Sequence, residues 1–148
     1  MEPLDLTRHP PRPPRATMLG AKFLPRTIDK LRAELPGGKM GGYLNEDRGI
    51  SAFVVRRLGL NMDELRDEVA RAESEAEIEA WLRGRLEPAK IEETNKKLES
   101  FTIERMQPDD LAMMRDRHAI MADRPELVKF LDVLEADDEA FEAAPHEF

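Results

Sequence analysis

The sequence contains no cysteine. That excludes disulfides, thiolate metal sites and cysteine nucleophiles at once, and it fits a reducing compartment. Aromatic side chains are scarce, with one Trp, one Tyr and six Phe among 148 residues, so aliphatic residues and eight Met must fill most of a core. No stretch approaches the roughly 18 apolar residues needed to span a bilayer, and no membrane partner is expected. The opening Met1-Glu2-Pro3-Leu4-Asp5-Leu6 has no cationic start followed by an apolar run, so the expectation is no signal peptide and a cytoplasmic location. Sustained period-two alternation of β-branched residues is missing, so no sheet is expected. No repeat of 20–50 residues is present either.

Catalytic and metal signatures are equally thin. The three histidines, His9, His118 and His146, are scattered, and no His-Glu-x-x-His, paired Glu-x-x-His or EF-hand loop occurs. His118 falls on an apolar helical stripe, which points to a hydrogen-bonded, semi-buried histidine rather than a ligand. The only serines are Ser51, Ser74 and Ser100, without a Gly-x-Ser-x-Gly elbow. The Gly-rich run Pro36-Gly37-Gly38-Lys39-Met40-Gly41-Gly42 lacks Walker spacing and reads as a turn. No catalytic residue, metal or cofactor is therefore assigned.

What is present points to helices. A 41% hydrophobic and 36% charged composition suits amphipathic helices that bury one stripe and solvate the rest. The run His9-Pro10-Pro11-Arg12-Pro13-Pro14-Arg15 predicts an extended, polyproline-like arm over residues 1–17, anchored at its start by Leu4 and Leu6. A first helix runs from Met18 or Leu24 to Leu35, with Pro25 kinking it or filling its first turn. A second holds Ile50, Phe53, Val54 and Leu58, with Gly59 as a left-handed cap. Asn61 and Ser74, each followed by Glu three residues on, open the next two as capping boxes. Pro88 and Pro108 start two more, the latter with the stripe Leu111, Met114, His118 and Met121. Pro125 opens the last, with Leu127, Phe130, Leu131 and Leu134 inward. The predicted fold is all-α: an irregular single-domain bundle of about six to seven helices over residues 18–148, with the Pro/Arg-rich arm before it.

The formal charge of −8 is unevenly spread. Residues 1–60 carry eleven Lys/Arg against six Asp/Glu, a net of +5, whereas residues 61–148 carry a net of −13. The expectation is that the two halves attract one another in the fold. An acidic protein without a recognised binding fold or a stacking set is a poor partner for nucleic acid, and none is expected. The basic half does hold one notable constellation. In Leu24-Pro25-Arg26-Thr27-Ile28-Asp29-Lys30-Leu31-Arg32, helical spacing puts Arg26, Asp29 and Lys30 on one face. Like charges four residues apart are unfavourable unless an anion lies between them. Asp29 is a candidate internal anion, paired with Arg26 and Arg32. Arg12 and Arg15 on the arm are expected to fold over the same face, and the Gly-Gly turn to deliver Tyr43. Arg12, Arg15, Arg26, Asp29, Lys30 and Tyr43 form a candidate site for a phosphate- or carboxylate-bearing ligand, or else a salt-bridge cluster pinning the arm.

The same pieces resemble a known bacterial family. The arm Pro10-Pro11-Arg12-Pro13-Pro14-Arg15, the helix Leu24 to Ala33 and the turn ending Gly42-Tyr43 are similar to the signature of the domain-of-unknown-function family DUF5069. Pro13 stands where a serine is expected, and the closing Leu134-Glu135-Ala136-Asp137-Asp138-Glu139-Ala140-Phe141 is similar to that family's C-terminal end. The resemblance implies a bacterial, single-domain protein and carries over no activity. Two functions follow as expectations. The first is a non-catalytic helical module that binds or regulates a protein. The alternative is a binding protein or enzyme for a small anionic metabolite, served by the Arg/Lys/Asp/Tyr cluster.

Overall fold

The computed structural model describes residues 1–43 and 49–143, and the side chains up to residue 141; His146 lies outside them. Eight α-helices occur among the described residues, so the chain is predominantly helical as expected. A small sheet corrects the purely helical reading. Strands β1 (Thr17–Met18) and β2 (Ala21–Lys22) pair antiparallel, joined by Leu19 and Gly20 at φ 52° and 85°. Positive φ at both central positions gives a twist that suits a hairpin. Strands of two residues are too short to leave a period-two signature, which is why the pattern missed them.

The arm is packed down rather than loose. Leu6 is fully buried, its amide donates to Lys39 O at 2.8 Å, and Lys39 N donates back to Leu4 O at 3.0 Å. Pro11 and Pro14 are also buried, and the Met1 ammonium donates to the carbonyls of Val69 and Ala72.

Helix α1 (Leu24–Ala33) carries Pro25 in its first turn, where proline fits, and ends earlier than the expected Leu35. Nine of its ten residues are buried, including Arg26, Asp29 and Lys30. It packs against β1, α2 (Ile50–Arg57) and α3 (Met62–Arg71). Gly59, at φ 76°, follows α2 in the left-handed conformation that glycine adopts without Cβ strain. Helices α3 and α4 (Glu75–Arg83) start where the sequence marks them: Asn61 Oδ1 accepts from Glu64 N, and Ser74 Oγ from Glu77 N. Helix α5 (Pro88–Ser100) follows and lies on the β-hairpin, where Asn95 bonds Lys22 N and Gly20 O.

Two further expectations need correction. The stripe Leu111 to Met121 belongs to two helices, α6 (Pro108–Arg117) and α7 (Ile120–Asp123), because the chain leaves helical geometry at His118 (φ −119°, ψ 82°). The last helix, α8, spans Phe130–Ala143 and does not start at Pro125. Residues 128–130 instead pair with 101–103, through Ile103 N to Val128 O and Phe130 N to Phe101 O. The main core joins Phe23, Leu24, Ile28 and Leu31 to side chains of α2–α5 and α8; a smaller one gathers Met114, Met121 and Val133. No described helix is long and apolar enough to cross a membrane.

Candidate functional site

Helix α1 is buried nearly all round, so its charged residues need partners from elsewhere or stay exposed to the full cost of desolvation. Arg26, 2% exposed, finds Asp138 of α8 in a two-pronged pair, Nη1–Oδ2 2.6 Å and Nη2–Oδ1 3.2 Å. Its Nη1 also donates to Arg12 O at 3.2 Å, while its buried Nε has no hydrogen-bond partner among the described residues. Its guanidinium lies over the rings of Phe23 and Tyr43, 5.9 and 5.5 Å from their centroids. The Tyr43 hydroxyl donates to Asp138. Burial, reinforced by Asp138, pushes the phenol well above its usual range. Burial likewise raises the Asp138 carboxyl against the opposing pull of its Arg26 hydrogen bond.

Lys30, one turn on, is 6% exposed. Its Nζ donates to Ser51 Oγ at 3.1 Å and sits 5.3 Å from the Phe23 ring centroid. Thr27 Oγ1 donates to Phe23 O, and it lies 3.2 Å from Ser51 Oγ, whose own hydroxyl proton it can accept. No described carboxylate lies within ion-pair distance of Lys30. Burial first, then the charges of Arg26 and Arg117, lower its ammonium to about 7, only partly offset by Asp138. Among the described residues, two buried cations thus share one carboxylate. Phe23, whose ring faces both, holds φ at 74° at the entry to α1, a left-handed conformation that costs a bulky residue of order 1–3 kcal/mol.

The sequence-predicted residues divide into two groups. Arg26, Lys30 and Tyr43 come together. Asp29 does not serve as their shared anion: Arg12 takes it, with its backbone N at 2.8 Å and its guanidinium at 3.0–3.2 Å, and Arg12 reaches Glu75 as well. Arg32, the other expected partner of Asp29, donates to Glu2 O. Arg15 does not join α1 either; Glu99, Asp132 and Glu135 hold it at 2.8–3.1 Å. Both arm arginines are therefore neutralised by carboxylates and pin the arm to the helices. Sequence reasoning missed Asp138, Ser51 and Phe23. Only Asp138 had left a signal, in the C-terminal acidic stretch, but nothing in its spacing tied it to Arg26.

Two hollows adjoin this cluster. The larger, about 800 Å³, runs between the arm and α1, α4 and α8, and Glu75, Glu135, Asp138 and Glu139 give it an acidic wall. Its cations Arg12 and Arg32 are outnumbered by these carboxylates, and Arg12 is already paired, so the groove suits an anion poorly. The smaller, about 380 Å³, is lined by Gly41, Gly42, Tyr43, Asp116, Arg117, His118 and Asp137. His118 Nδ1 lies 2.9 Å from Asp137 Oδ2, the hydrogen-bonded, semi-buried arrangement its stripe position suggested. Tyr43 lines this cleft with its ring 5.5 Å from the Arg26 guanidinium, Arg26 and Lys30 themselves lie outside the lining, and Arg117 adds a third positive charge close enough to act on Lys30. No group of three or more metal-ligating side chains forms among the described residues.

A family described as a domain of unknown function (DUF5069) matches residues 8–140. No curated protein matches the chain.

Proposed function

We propose that this chain, which belongs to the DUF5069 family, binds a small phosphate- or carboxylate-bearing metabolite at the Tyr43–Arg117 cleft and the buried cations behind it. The observation that carries the reading is the buried pair Arg26 and Lys30: two basic side chains on one helix, with Asp138, bonded to Arg26, the one described carboxylate that acts on Lys30. A buried charge without a counter-ion is costly, and an entering anion would supply one. Arg117 is the cation at the cleft wall, beside Asp116 and Asp137, and the Nε of Arg26, unmatched among the described residues, is a donor still to be satisfied. Of the residues read from the sequence, Arg26, Lys30 and Tyr43 would face the ligand. Arg12, Arg15 and Asp29 would hold the arm.

The competing role, a protein-interaction module, draws less support. Met113 (53%) and Val128 (40%) are the large hydrophobic side chains exposed among the described residues, too few for an apolar docking patch.

Thermal melts of wild type and Lys30→Met, with orthophosphate, sulfate, malate and glycerol 3-phosphate, test the reading. A ligand at a hundred times its Kd stabilises by about 2.7 kcal/mol, a shift of several degrees for a chain of this size. The expected result is a shift in wild type that the variant loses. Wild-type melts unmoved by all four anions would count against the site.

A further inference from the structure

Lys30 has an arrangement that salt-bridge lysines lack. It is buried on a helix with all-round packing, its one hydrogen-bond partner among the described residues is a hydroxyl, and the charges of α1 and α6 that act on it, Arg26 and Arg117, are cations. A lysine kept from water beside another cation is the arrangement that activates an amine as a nucleophile. The groups that bear on it are Arg26 and Thr27 of its own helix, Ser51 of α2, Arg117 of α6, Asp138 of α8 and the Phe23 ring. Asp138 is the sole carboxylate among them, and Arg26 and Tyr43 already occupy it.

We infer that Lys30 is a covalent site, whose Nζ adds to the carbonyl of a small oxo acid while Arg26 and Arg117 hold the acid group. The inference rests on the anion-binding reading above and names its substrate class, a carboxylate carrying an aldehyde or ketone. In the step, the Nζ lone pair forms a bond to the carbonyl carbon and the oxygen takes up a proton, giving a carbinolamine. The hydroxyl then leaves as water with a second proton, giving an imine; amine plus carbonyl yields imine plus water. Ser51 Oγ, 3.1 Å from Nζ, is placed to exchange protons with the nitrogen, and Thr27 fixes its orientation. Burial supports the same chemistry, since an ammonium lowered to about 7 is largely free amine at pH 7.5.

The test is reductive trapping on the wild-type chain. Glyoxylate, the smallest oxo acid, and acetaldehyde, a neutral control, are each incubated with the protein at pH 7.5 and cyanoborohydride. Labelled lysines are then located by peptide mass spectrometry. Glyoxylate should label Lys30 at least about tenfold faster than Lys39, Lys96 or Lys129, should do so much faster than acetaldehyde, and should be slowed by orthophosphate. Labelling of those other lysines with Lys30 untouched overturns the inference, and an orthophosphate-dependent thermal shift in the same preparation would leave the anion site standing. Equal labelling of Lys30 by both aldehydes, indifferent to orthophosphate, would keep the reactive amine but overturn its oxo-acid preference and the anion site.

Discussion

At the scale of single residues, the polar interior of α1 is where the fold departs from an ordinary helical core. Lys30 is held charged only at a cost, because burial lowers its ammonium to about 7. Its unfolded value is about 10.4. Below pH 7 the amine is protonated in both states and the whole penalty applies. Between pH 7 and 10 the unfolded chain keeps a proton that the folded chain has released, so stability rises with pH. Lys30→Met should therefore stabilise the fold at pH 6, by an amount on the order of a few kcal/mol at most, and so raise the melting temperature there, and the gain should fade by pH 10. Melts at pH 6, 8 and 10 check this; a constant gain would mean that no proton is linked to folding. Asp138→Ala acts in the other direction, leaving Arg26 and Lys30 buried with no counter-charge, and should cost about 3–5 kcal/mol in urea unfolding. A loss under about 1 kcal/mol would mean that Arg26 had found another acceptor. The cation pair itself was legible, because four-residue spacing on one helix puts Arg26 and Lys30 side by side. Their partners were not: Asp138 is 112 residues away and Ser51 is 21, and one chain read alone has no local term for such contacts.

At the scale of elements, helix starts were read well where a side chain closes the first turn, as at Asn61 and Ser74, or where proline fits it, as at Pro88 and Pro108. Helix ends and breaks were read poorly. The break at His118 interrupts an otherwise continuous apolar stripe, and tertiary contacts make it: His118 turns to Asp137 of α8. Pro125 looked like a start, but pairing of residues 128–130 with 101–103 delays α8 by one turn. The arm is tied across α5 and α8 by Arg15, whose hydrogen bond to Glu99, aided by Lys22, lowers that carboxyl to about 2. A depressed carboxyl gives stability that is complete above its unfolded value near 4.3 and lost as pH falls toward 2. Arg15→Gln should therefore be less stable than wild type at pH 5–7, with the difference closing near pH 2. Acid unfolding followed by circular dichroism shows which holds; a difference that persists unchanged at pH 2 would assign the loss to packing instead.

At the scale of the whole molecule, the basic first half and acidic second half meet as expected. Arg12 with Glu75, Arg15 with Glu99, Asp132 and Glu135, Lys22 with Glu99, and Arg26 with Asp138 all cross that divide. Isolated exposed pairs contribute little, but here they offset the repulsion of a C-terminal half with a net charge of −13. Replacing Arg12 and Arg15 together by Ala should leave that repulsion opposed only by Lys22 and Arg26 among these pairs. The double variant should then gain more stability than wild type when NaCl is raised from 20 mM to 0.5 M, since salt screens exposed like charges. Equal responses would mean that the arm arginines act by packing alone. The site and its function depend most on one amine, and its titration can be observed directly. Heteronuclear NMR of the Lys30 Cε–Nζ group from pH 5 to 11, assigned with Lys30→Met, gives its midpoint in the folded chain. The expected midpoint is about 7, moving upward when a bound anion supplies a counter-charge; a midpoint above 10 would contradict the buried lysine, without an ion-pair partner among the described residues, on which the site is built.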